Sequence, residues 1–99
     1  MDRMQRIIHP SGHGAFFTER IFQEGKDDFI VVYDCGSSDK YPKEQELLEN
    51  EVKGFFNAGD KIDILFISHF DSDHVNGIKH LVPYLTTQTK LVMPFSYEY

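Results

Sequence analysis

The chain has 99 residues, 40% of them hydrophobic and 26% charged, with a formal net charge of −6. At about 100–150 residues per domain that is one domain at most, with a modest core. The charge argues against a passive nucleic-acid binder, which needs lysine and arginine to displace counterions from phosphates, but not against an enzyme that meets phosphates through metal.

Arg3 to His9 reads as a first strand, stopped at Pro10-Ser11-Gly12-His13-Gly14. Ala15 to Phe22 is a second strand, with Thr18 and Arg20 suiting the polar side of a half-buried ribbon. Glu24-Gly25-Lys26-Asp27-Asp28 is a hairpin turn. Phe29 to Tyr33, β-branched and aromatic, predicts a strand buried on both faces, followed by the small-residue loop Asp34-Cys35-Gly36-Ser37-Ser38. The period then changes. Pro42 suits a first helical turn, and Leu48, Val52, Phe55 and Phe56 form one apolar stripe that stops at Asn57-Ala58-Gly59-Asp60. Ile62 to Ile67 predicts a second buried strand. Val75, Ile78, Leu81, Val82 and Leu85 predict a second helix, and Thr89 to Met93 a last strand. The expected order is β-β-β-α-β-α-β, an α/β arrangement with a partly parallel sheet and helices on one face.

Neither dense apolar run approaches the roughly 20 residues of a membrane span, and the first residues carry no signal-peptide core, so no membrane association and a cytoplasmic location are expected. Cys35 is the single cysteine, which excludes an internal disulfide. With no identifiable base beside it, it reads as a small core or loop residue.

The chemistry concentrates in Ser68-His69-Phe70-Asp71-Ser72-Asp73-His74-Val75-Asn76-Gly77, between a strand end and a helix start. A lone aspartate there would read as a helix N-cap. Two histidines and two aspartates within six residues form a set of mutually repelling carboxylates unless a cation neutralises them. His69 and Asp71, two apart, project to one side of an extended segment. Asp73 and His74 project toward a neighbouring position, which suits two divalent ions close enough to share a hydroxide.

These residues carry a resemblance. Ser68-His69-Phe70-Asp71-Ser72-Asp73-His74 resembles the Ser/Thr-His-x-[His/Asp]-x-Asp-His signature of the metallo-β-lactamase-fold hydrolases. Val32-Tyr33-Asp34-Cys35-Gly36 looks like that family's strand ending in an aspartate beside the metal centre. Gly12-His13-Gly14-Ala15-Phe16 resembles the Gly-x-Gly turn of the branch that includes the hydrolase domain of bacterial DNA-uptake competence channels. The resemblance implies His69 and Asp71 as ligands of a first metal and Asp73 and His74 of a second, with Asp73 also orienting the catalytic water. Asp34 would hold a ligand by hydrogen bond, or else form a plain Asx turn. His13 would approach the site or be a turn residue only. Zinc is the expected ion, and Asp71, where the family more often has histidine, makes manganese competitive.

The family fold is an αββα sandwich of two similar halves, and residues 1–99 resemble the first, as a single, incomplete domain. The second half's ligands have no counterpart here, and His80, six residues beyond His74, falls on another face at the surface. The expected partner is therefore the missing half, as further chain or as a partner chain, or a second copy of this one. The expected function is a metal-dependent hydrolase acting on a phosphodiester of nucleic acid or nucleotide, with ester or thioester hydrolysis next. The alternative from another class is a truncated, non-catalytic interaction module of the same fold, since the chain alone carries about half of a dinuclear site.

Overall fold

A computed structural model describes residues 3–38, 40–69 and 72–94. Five strands form one sheet in chain order: β1 (Arg3–Ile8), β2 (Ala15–Phe22), β3 (Phe29–Gly36), β4 (Ile64–Phe66) and β5 (Lys90–Val92). β1, β2 and β3 pair antiparallel through short turns, whereas β4 and β5 add on parallel. Parallel pairs need crossovers, and the chain supplies α1 (Pro42–Phe55), then a single turn α2 (Ser72–Val75) and a 3-10 segment (Ile78–Tyr84).

The pairing of β2 with β3 carries one irregularity. Phe16 faces Cys35 and Phe17 faces Tyr33, so Asp34 is an extra residue on β3. This bulge resets the alternation. Ile30, Val32 and Cys35 all point into the core, although Cys35 has the wrong parity for a regular strand.

The apolar stripe of α1 lies on this same face: Leu48, Val52 and Phe56 are buried with Phe16, Ile30 and Val32. Pro42 opens the helix, and Phe56 closes it by donating its N–H to Val52 O at 3.2 Å. Ile62, Leu65, Ile67 and Leu81 complete the core. β4 is shorter than the run Ile62 to Ile67 suggests, because Asp63 stitches to β3 from outside the ladder. Its carboxylate accepts the Ile30 N–H at 2.8 Å and its own N–H donates to Ile30 O at 2.9 Å.

The second helix departs from expectation. The α-helical turn stops at Val75, and Gly77 donates its N–H to Cys35 O at 2.8 Å, drawing the chain against β3. The segment beyond is 3-10, with Ile78, Leu81 and Tyr84 toward the core at a spacing of three and Val82 exposed. Pro83 lies inside it and, lacking an N–H, cannot supply an α-helical bond.

Burial on both faces holds in large part for β3, where Ile30, Val31 and Val32 are buried and Tyr33 is half-buried, but not for β4, where Phe66 is exposed. Thr18 and Arg20, expected on a polar side, are buried under α1, while Phe17 points to the opposite face. Arg20 Nη2 donates to Asp60 at 2.8 Å and to Phe55 O at 3.2 Å, and Nη1 donates to Asp28 at 3.0 Å. Burial acts to lower Arg20's affinity for its proton, but the two carboxylates outweigh it and raise the pKa. On the opposite face, Ile8, Phe17, Tyr33, Phe66 and Val92 align strand by strand across all five strands. Ile8, Phe17, Phe66 and Val92 are exposed and Tyr33 half-buried, because no described layer covers them.

Candidate metal centre

β3 and β4, being parallel, end on the same side of the sheet, and the segments that follow them meet there. Asp34, the bulge residue, has φ 58 in the left-handed region and is 4% exposed. Such a backbone costs on the order of 1 kcal/mol and persists only where surroundings over-determine it. Here the carboxylate does so. Oδ1 accepts the Ser68 N–H at 2.8 Å, Oδ2 accepts the Ser68 Oγ–H at 2.5 Å, and Oδ2 lies 3.1 Å from His74 Nδ1.

This arrangement assigns the imidazole protons. An ionised carboxylate only accepts, so His74 carries its proton on Nδ1 and donates it to Asp34. The one hydroxyl proton of Ser68 is committed to Asp34. Ser68 Oγ, 3.1 Å from His69 Nδ1, therefore accepts from that nitrogen. The two rings lie side by side, centroids 5.0 Å apart and inclined by 51°. Both are left with Nε2 as the lone-pair donor, the form in which a histidine binds a cation while its other nitrogen is held by a carboxylate or hydroxyl.

Gly36 lets the turn at Asp73 and His74 close on β3. A Cβ there would sit 2.4 Å from Asp73 O, a contact with backbone that no side chain tolerates. Asn76 fixes the loop from its other end. Its Oδ1 accepts the Ser37 N–H at 2.9 Å and its Nδ2 donates to Ser37 O at 2.5 Å. Neither Ser68 nor Asn76 stood out in the sequence as a positioning residue. The signal was present, since Ser68 directly precedes His69 and Asn76 lies two residues beyond His74.

Of the expected ligands, His69 and His74 are brought together, and Asp73 lies half-buried in the same turn as His74. Asp71 lies outside the described residues. Among the described residues no group of three or more His, Cys, Asp or Glu is gathered closely enough to hold a metal ion. The donor chemistry nevertheless fits a divalent ion: two neighbouring imidazoles, each with Nδ1 committed, backed by a buried carboxylate. His13 pairs with Glu44 of α1. His80 is half-buried rather than at the surface, and burial lowers its pKa. Cys35 is no nucleophile. Burial, then the nearby Asp34 charge, pushes its thiol up to about 12, and Sγ donates to Gly77 O at 3.3 Å.

A family model described as the metallo-beta-lactamase superfamily matches residues 21–92, well over half of the chain, and the chain belongs to that superfamily. Membership points to a metal-dependent hydrolase at the level of the family. No curated protein and no solved structure matches the chain. Among the described residues no helix is long and apolar enough to cross a membrane.

Proposed function

We propose that this protein hydrolyses a phosphodiester in nucleic acid or a nucleotide, using divalent ions held by His69, Asp71, Asp73 and His74. Zinc is the first choice and manganese the second, since Asp71 adds a hard oxygen donor. The observation that carries the reading is the buried Asp34 carboxylate fixing His74 Nδ1 beside His69, with the Nε2 atoms of both rings left as donors. Bound there, the ions would supply Lewis acidity and a water acidified toward neutral pH.

The chain's own residues do the rest. Asp34 and Ser68 hold the two imidazoles in the ligating tautomer, and Asn76 ties the signature loop to the end of β3. Asp73 orients the attacking water. The likeness of Gly12-His13-Gly14-Ala15 to the competence-channel branch favours phosphodiesters, and a chain of net charge −6 needs cations to approach a phosphate. We further propose that residues 1–99 form one half of the family sandwich. The other half, from further chain, a partner chain or a second copy, would cover the row Ile8, Phe17, Tyr33, Phe66 and Val92 and supply the remaining donors.

Elemental analysis of protein purified without added metal tests the centre directly. On the order of two equivalents of zinc or manganese are expected per chain in the complete site. His69→Ala and Asp73→Ala should each lower metal content and slow hydrolysis of bis(p-nitrophenyl) phosphate at least about 100-fold, with unchanged far-UV circular dichroism. Full metal and full activity in both variants reject the ligand assignment. Turnover of p-nitrophenyl acetate alone would move the reading to carboxylic esters.

A further inference from the structure

A third imidazole, at the same end of the sheet, has a fixed orientation. The turn at residues 12–14 leads into the start of β2, which lies beside the end of β3 because these strands are antiparallel. Within this turn His13 Nδ1 lies 2.7 Å from Glu44 Oε1, and the His13 N–H donates to Glu44 Oε2 at 3.1 Å. The ring stacks on Tyr41, with centroids 5.1 Å apart and planes inclined by 28°. Gly12 makes room for this: it has φ 65, and a Cβ there would lie 2.3 Å from Glu44 Cδ.

Despite three restraints, the His13 side chain is 72% exposed. An exposed pair of this kind contributes little to stability, so stability does not account for the restraint. What it achieves is chemical. The Glu44 carboxylate is held below the usual carboxylate range by the His13 N–H and imidazole, so it stays ionised and only accepts. The Nδ1 atom therefore donates to Glu44, and Nε2 makes no hydrogen bond among the described residues. The turn also reaches the metal-signature loop through direct packing. Gly14 rests on the backbone of Gly36 and Ser37, and Gly36 rests on Asp73 and His74. Ser37 Oγ further donates to Ser11 O.

We infer that His13, oriented by Glu44, donates a proton to the departing oxygen of the ester. The inference rests on the hydrolase reading above. Water attacks the phosphorus, the bond from phosphorus to the leaving oxygen breaks, and that oxygen takes the Nε2 proton of the His13 imidazolium to leave as an alcohol. The neutral imidazole recovers a proton from solvent, which also receives the one shed by the attacking water. Glu44 is a positioning residue: it holds the ring and stabilises the imidazolium, without meeting the substrate.

A leaving group that departs as a stable anion needs no such proton, and this separates the role from a structural one. In the metal-loaded protein, His13→Ala should slow cleavage of a thymidine dinucleotide, an alkoxide leaving group, about 100-fold or more. Bis(p-nitrophenyl) phosphate, whose nitrophenolate leaves unaided, should change by no more than about threefold. Glu44→Gln should slow the dinucleotide about tenfold with the same selectivity. Equal losses on both substrates, or none on either, overturn the assignment while leaving the hydrolase reading intact. If the unaltered protein cleaves neither substrate, the hydrolase reading falls and this one with it. Nitrogen-15 NMR of the His13 ring gives a check independent of turnover. The neutral ring should carry its proton on Nδ1 and shift toward the Nε2 form in Glu44→Gln, and an Nε2-protonated ring in the unaltered protein overturns the dyad.

Discussion

The two faces of the sheet differ in a way that hydrophobicity alone does not order. The face under α1 buries Phe16, Ile30 and Val32, yet also His9, Thr18 and Arg20. The opposite face carries the apolar row Ile8, Phe17, Tyr33, Phe66 and Val92, largely exposed to solvent. The polar groups tolerate burial because each is paired. His9 lies 2.8 Å from Thr18 Oγ1 and 3.2 Å from Glu51 Oε1 while its ring stacks on Phe16, and Arg20 bridges Asp28, Asp60 and Phe55 O. Among the described residues no buried side-chain polar atom lacks a partner. What distinguishes a core face here is satisfied contact rather than apolar composition. The opposite face has the composition of a core without such contact among the described residues.

Substitutions on either face put this contrast at risk. Phe16→Ala should cost about 3–5 kcal/mol in urea unfolding, since a fully buried ring leaves a cavity. Phe17→Ser, one residue away on the open face, should cost less than about 1 kcal/mol and reduce self-association in sedimentation. Similar losses for both would mean that a second layer already covers Phe17. Arg20→Ala should cost about 3 kcal/mol, because it strands the Asp28 and Asp60 carboxylates. A loss below about 1 kcal/mol would show that the cluster is wet, and the contrast would lose its polar half.

The smallest expected effect is a dependence on pH. Burial lowers the His9 pKa, against the opposing pull of Glu51. With the folded value below the unfolded 6.5, the unfolded chain binds more protons as the pH falls. The stability from neutral His9 is thus complete above 6.5 and lost as pH falls through the lower folded value. His80 acts in the same direction. The urea midpoint should drop between pH 7.5 and 5.5, less steeply in His9→Gln, and an unchanged slope in that variant would remove His9 from the account.

Much of this was legible in the sequence, for identifiable reasons. β-branched and aromatic runs located β2 and β3, and the Leu48, Val52 and Phe56 stripe located α1 and its buried side, because both signals are local periodicities. The side chosen for Thr18 and Arg20 was not legible. It depends on Asp28, Asp60 and α1, partners brought in by tertiary pairing. The second helix misled because its apolar spacing of three and four suits both helix types, and Gly77 and Pro83 decide between them. At the site, His69 and His74 announced themselves by residue type. The bulge at Asp34 did not, since nothing in Tyr33-Asp34-Cys35 states that the ladder skips a residue. His13 was legible as a turn residue, but its partner Glu44 lies 31 positions away.

That skipped residue also bears on how the molecule is assembled. The β1–β2–β3 meander closes through short turns and can form early, whereas Asp34 meets Ser68 and His74 across separations of 34 and 40 residues. Those contacts wait for β4 to dock in parallel after α1 has been laid down. The left-handed kink at Asp34 is then a local cost with no local return, repaid only when the later segment arrives. A cation captured by His74 would hold that segment in place, so metal availability would set the lifetime of the last-formed part of the fold more than that of the first.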